Sequence, residues 1–145
     1  MTDTSGKIDL VVGDSDALIA LTFEEDAWHE QAVATLAVLA QNDIRIVFPT
    51  TTIIETVTTF QRKFSNPLLA EAVISKVQEG SYLIADVERD ILEAAFQLFS
   101  ARGSKQNTLF DAVVAAVAQD QGIDYLFAFD GWYEKLGYTL AYQMY

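Results

Sequence analysis

The chain has no cysteine and a single histidine among its 145 residues. The first absence excludes a disulfide framework, a thiol nucleophile and a Cys-ligated zinc. The second leaves only His29, which rules out a histidine-built metal cluster. There are two prolines, Pro49 and Pro67, so few elements are forced to break. Cations are scarce: nine Lys plus Arg stand against 21 Asp plus Glu, a formal net charge of −12. That balance argues against broad electrostatic attraction to nucleic acid, because phosphate binding requires cationic neutralisation. No apolar run reaches the ~18 residues of a membrane helix. The opening MTDTSGKIDL lacks a basic segment followed by a long apolar one, so no signal peptide is expected and a cytoplasmic location is.

Half of the residues are hydrophobic (51%), enough for a real core in one domain spanning residues 1–145. Apolar residues run from Ile8 to Val12 as a short buried strand, and Gly13 turns the chain. Asp14 follows at the strand's carboxyl end. Asp16 stands where a helix N-cap is expected, before Ala17 to Leu21. Glu24, Glu25 and Asp26 precede a second helix with Val33, Leu36, Ala37 and Ala40 at helical spacing. Ile44–Phe48 reads as strand two, and Pro49 with three threonines opens a helix from Thr51 to about Lys63. A fourth helix ends near Gly80, and Tyr82–Ala85 reads as a third strand. A fifth helix starts at Asp86 or Val87. Thr108 caps a sixth, Leu109 to Gln121, closed by Gly122. Tyr125–Phe129 is a fourth strand, and Tyr138–Tyr142 a candidate fifth. Strands alternating with helices imply an α/β fold of three layers, α/β/α, around a mainly parallel sheet of about five strands.

Four acids fall where such a sheet exposes its carboxyl edge: Asp14, Glu55, Asp111 and Asp130. Each also has a local explanation. Asp14 suits a turn or cap. Glu55 is the only charged residue between Arg45 and Arg62, and suits an exposed helix face. Asp111 pairs with Thr108 at capping-box spacing, and Asp130-Gly131 is a hairpin-turn signal. Together they point further. Two unit charges ~4 Å apart cost about 4 kcal/mol at an effective dielectric of ~20. Converging carboxylates therefore take up protons or bind a hard cation, for which Mg²⁺ and its oxygen chemistry are suited. Such a site activates water and clamps phosphoryl oxygens, so a phosphate-bearing substrate is expected.

These motifs resemble those of PIN-domain ribonucleases, especially the VapC-like toxins of type II toxin–antitoxin systems. The likeness runs through VVGDSDALIA (11–20), DAWHEQA (26–32), PTTTIIETV (49–57) and TLFDAVVAAVAQDQGIDYLFAFD (108–130). It implies an Mg²⁺- or Mn²⁺-dependent endoribonuclease that hydrolyses RNA with metal-activated water and leaves a 5′-phosphate. Asp14, Glu55, Asp111 and Asp130 would be its catalytic, metal-holding acids, with Asp130 acting through water. Thr108 would orient a ligand or water. Asp16 stands where relatives often carry Ser or Asn, and is either a cap or an extra ligand. Arg62, Lys63, Arg102 and Lys105 are the cations available for RNA. The likeness also implies a homodimer and an antitoxin partner, here with a basic segment. Two other readings stay open. One is a haloacid-dehalogenase-like phosphatase, in which Asp14 and Asp16 supply nucleophile and general acid. The other is a PIN-like binding module without turnover.

Overall fold

Alternation along one central strand sets the architecture. Val11 and Val12 are both fully buried, yet they belong to two different hydrophobic clusters. A strand buried on both faces is the mark of a parallel sheet covered by helices on either side. The computed structural model describes residues 8–144. In order it has β1 (Leu10–Gly13), α1 (Ser15–Thr22), α2 (His29–Gln41), β2 (Arg45–Pro49), α3 (Thr50–Arg62), α4 (Pro67–Gln78) and β3 (Leu83–Ala85). Then come α5 (Arg89–Leu98), α6 (Leu109–Gln121), β4 (Tyr125–Phe127), α7 (Trp132–Lys135), β5 (Thr139–Leu140) and a 3₁₀ turn at Ala141–Gln143.

The five strands run in the order β3-β2-β1-β4-β5, and every pairing is parallel. The chain builds outward from β1 through β2 to β3, then crosses to the other side for β4 and β5. β1 and β4 therefore flank the point where the winding reverses, the place where open α/β sheets form a crevice beyond their carboxyl ends. Val12, Val47 and Leu126 pack on one side with α5, α6 and Tyr133 of α7. Val11, Ile46, Phe48 and Phe127 pack on the other with residues of α1, α2, α3 and α4. This is the expected three-layer α/β/α arrangement.

Helix α6 is the most buried element. Asp111 through Ala118 are all buried, because small Ala and Val side chains let the helix press against the sheet while α5 covers it. It closes on Gly122 at φ +65°, a left-handed position that glycine adopts without a side-chain penalty. Gly13 answers a different need. A Cβ there would run into the ring of Phe48, itself completely buried. Gly13→Ala is therefore expected to cost ~1–3 kcal/mol by overpacking, read as a lowered denaturation midpoint in urea with an unchanged slope.

Four local expectations need correction. The cap of α1 is Asp14, whose side chain accepts from Ser15 N, and not Asp16, which lies inside the first turn. Helix α5 begins at Arg89, with Glu88 as its cap residue, rather than at Asp86 or Val87. Asp130-Gly131 makes no hairpin. It opens α7, and β5 then pairs with β4 in parallel. Strand β5 is two residues long and gives way to the 3₁₀ turn, because Leu140 and Ala141 bury together against the core.

Candidate active site

Asp14 stands on the first residue past β1. Its backbone N–H bonds to Phe127 O of β4 at 3.0 Å, and its carbonyl begins the ladder of α1. Its side chain is 2% exposed. Oδ1 accepts from Ser15 N at 2.6 Å, and Oδ2 from the hydroxyl of Tyr133, also at 2.6 Å. Burial, then the negative charges of Asp16 and Asp111, push this carboxyl well above the usual carboxylate range, and the Tyr133 bond only partly opposes them.

Asp111 lies in the first turn of α6. Its Oδ2 accepts from Thr108 N at 2.9 Å, so the capping-box reading is correct as local structure. The same residue belongs to the cluster. Burial raises its pKa, and the Asp130 charge adds to this. The helix cap thus fixes the direction in which the acid points. Glu55 comes from the second turn of α3, half-buried, with Oε1 buried and lacking a hydrogen-bond partner. Burial pushes its carboxyl up to about 7, assisted by the Asp111 and Asp16 charges, while the Ser15 hydroxyl lowers it. Asp130 follows β4. It is held through Oδ2 by Asn107 Nδ2 and through Oδ1 by Trp132 N, both at 2.9 Å.

The fold therefore gathers these acids at one rim of the sheet: Asp14 feels the charges of Asp16, Asp111 and Glu55, and Asp130 acts on Asp16 and Asp111. Asp16 has a definite structural task. Its Oδ2 accepts from Phe129 N at 2.9 Å and Asp130 N at 3.1 Å, which ties α1 to the exit of β4. Its Oδ1 is buried without a partner, and burial pushes its carboxyl up to about 6. With Oδ2 so engaged, Asp16 is poorly placed as the general acid of a phosphatase, and Lys105 lies exposed in the loop before α6. Asp16→Ala would strand two part-buried backbone donors. The expected cost is about 2 kcal/mol, and a thermal melt should show a drop of several degrees.

The cations divide. Arg62 and Lys63 are exposed at the far end of α3, about 10 Å along the helix axis from Glu55. The structure does not bring them to the acids. Arg102 and Lys105 are also exposed, but on the segment that leads through Asn107 and Thr108 into the site. Two contributors escaped the sequence reading: Tyr133 and Asn107. Asn107 was hidden in a polar loop. Tyr133 follows Asp130 by three positions, a helical spacing whose meaning depends on α7 forming after the turn. His29 and Trp28 are structural. His29 Nδ1 lies 2.7 Å from Ala20 O, and Trp28 stacks on Phe129 with ring centroids 4.5 Å apart.

Among the described residues, no three Asp, Glu or His side chains already stand in metal-holding geometry. Mg²⁺ does not require a closed cage. It keeps several waters and takes only one or two carboxylates directly. The donor chemistry fits such an ion: hard carboxylate oxygens, two of them buried and unpaired on Glu55 and Asp16, and no Lys or Arg paired with any of the acids among the described residues.

An all-parallel doubly wound sheet carrying clustered acids at its switch point defines a class of α/β domain with an acidic carboxyl rim. The chain belongs to the PIN domain family, whose family model matches residues 11–137. Its fold is also similar to the crystal structure of the Mycobacterium tuberculosis toxin VapC20, described as a sarcin–ricin loop cleaving toxin. The TM-score is 0.78 at 22% sequence identity, over 89% of this chain and 96% of that one. A comparison with curated proteins finds no match.

Proposed function

We propose that the chain is a divalent-metal-dependent endoribonuclease, the toxin of a toxin–antitoxin pair. The observation that carries this reading is the gathering of four acids, from four separate stretches, at one rim of the sheet, with no cation paired to them among the described residues. Membership of the PIN family and likeness to VapC20 support it. Mg²⁺ or Mn²⁺, when bound, supplies an activated water and charge to clamp phosphoryl oxygens. Asp14, Asp111 and Glu55 are the residues that would hold it. Asp130, fixed from two sides by Asn107 and Trp132 N, would orient a water beside them. Glu55, pushed up to about 7, is part protonated near neutral pH and would give up that proton on holding a cation. Arg102 and Lys105 would meet the RNA strand, and Thr108 would steady the entry to α6.

A basic antitoxin segment suits a chain of net charge −12. A homodimer would cover the exposed Ile54, Phe96 and Phe110 on α3, α5 and α6. The test is incubation of the purified chain with a panel of single-stranded and structured RNAs, sarcin–ricin loop RNA included, in Mn²⁺ and in chelator. Internal cleavage with 5′-phosphate ends, lost in chelator, is expected. A phosphate trapped on Asp14 from a phosphomonoester would overturn the reading in favour of a phosphatase.

A further inference from the structure

Tyr133 is completely buried in the second position of α7, packed in the same cluster as β1 and α6. Phenylalanine would fill that space equally well, so packing alone does not call for the hydroxyl. A buried phenol needs a hydrogen-bond partner. Tyr138 meets that need in the ordinary way, donating to the backbone carbonyl of Ala115 at 3.1 Å. Tyr133 instead donates to Asp14 Oδ2 at 2.6 Å, across 119 positions of sequence.

The consequence is geometric. Ser15 N holds Asp14 Oδ1 from the α1 side, and Tyr133 holds Oδ2 from the α7 side. Together they fix the rotation of the carboxylate about its last torsion. A carboxylate oxygen has two lone-pair directions. With one on Oδ2 taken by the phenol, the other is left in a set direction. The same short helix anchors the fourth acid, since Trp132 N donates to Asp130 Oδ1. Asp14 and Asp130 are thus braced by consecutive residues of one element.

We propose that Tyr133 is a positioning residue for the divalent cation, aiming the free lone pair of Asp14 Oδ2 toward the rim where Asp111 and Glu55 stand. This rests on the reading of the acids as a metal site. It assigns to Tyr133 no contact with the ion or with RNA. Hydrogen-bond partners that orient a metal ligand contribute strongly to affinity, and their loss costs about 10–100-fold.

The experiment is a Mn²⁺ titration of the full chain followed by electron paramagnetic resonance, on the wild type, Tyr133→Phe and Tyr138→Phe. Tyr133→Phe is expected to weaken Mn²⁺ binding by about tenfold or more, with the far-ultraviolet circular dichroism of the folded chain retained. Tyr138→Phe is expected to bind as the wild type does, which separates positioning from the general loss of a tyrosine hydroxyl bond, here the part-buried one to Ala115. Equal or tighter binding by Tyr133→Phe, with the wild type binding, would overturn the role of Tyr133 alone. No binding by the wild type at millimolar Mn²⁺ would overturn the metal-site reading itself, and the proposal with it. Should Tyr133→Phe melt early, all three proteins are titrated in the cold with sucrose, which favours the compact state.

Discussion

Asp14→Asn and Asp111→Asn are each expected to reduce metal-dependent RNA cleavage by about 100-fold or more, equivalent to ~3 kcal/mol of lost transition-state stabilisation. The choice of asparagine isolates charge from structure. Asn is as good an N-cap as Asp, so α1 keeps its start. At position 14 the amide oxygen keeps the bond from Ser15 N, and the amide N–H on the other side can donate to the Tyr133 oxygen in place of the bond Tyr133 donates in the wild type. At position 111 the amide oxygen can still accept from Thr108 N and preserve the cap of α6. Charge is what disappears. Both variants should therefore fold, and in chelator should melt at or above the wild-type temperature, since one member of a like-charged group has been neutralised. Single-turnover cleavage and paired thermal melts read the two halves of this expectation. Cleavage at the wild-type rate in both variants would remove these acids from the chemistry.

The second large effect concerns pH. In the metal-free protein, burial raises Glu55 from 4.5 to about 7 and Asp16 from 3.8 to about 6, and Asp14 and Asp111 move in the same direction. In the unfolded chain these groups lose their protons near pH 4. Between that pH and about 7, the folded chain binds more protons than the unfolded one, so stability falls as pH rises. The contribution is complete below the unfolded pKa values and is lost as pH climbs through the folded ones. The metal-free melting temperature is accordingly expected to be several degrees lower at pH 7.5 than at pH 5. Mn²⁺ should reverse this at pH 7.5. At a hundred times its dissociation constant, a ligand that binds only the folded state adds ~2.7 kcal/mol, on the order of 5–10 °C for a domain of this size. At pH 5, protons compete for the same oxygens and the gain should shrink. Differential scanning calorimetry in chelator and in Mn²⁺ at both pH values measures it. A melting temperature that rises with pH in chelator would contradict the clustering of the acids.

Much of this arrangement could be read from the sequence, because it rests on local patterns. Alternating apolar strands and amphipathic helices specified the layers, and acids just beyond β1 and β4 fall on the carboxyl edge of any parallel sheet. The unusually apolar α6 announced its burial, and with it the singularity of Asp111. What could not be read depends on tertiary contact. Asp16 looks like a cap, since Asp is a favoured cap and precedes an apolar run. Its real partners are the N–H groups of Phe129 and Asp130, more than 110 positions away. Tyr133 looks like core until α7 is seen to turn it toward Asp14. Arg62 and Lys63 stand about two helical turns beyond Glu55 on α3, a separation that follows only once the helix is known to run unbroken to Arg62.

The tie from Asp16 to the end of β4 also has a bearing on synthesis. Asp14 and Glu55 leave the ribosome long before Asp111 and Asp130, and the acidic rim is incomplete until β4 pairs beside β1. A nascent chain that stops short of Phe129 owns three of the four acids and neither the clamp nor the phenol that orders them. Whatever chemistry the acids perform is thus withheld through most of translation and begins only once the last quarter of the polypeptide has emerged and docked.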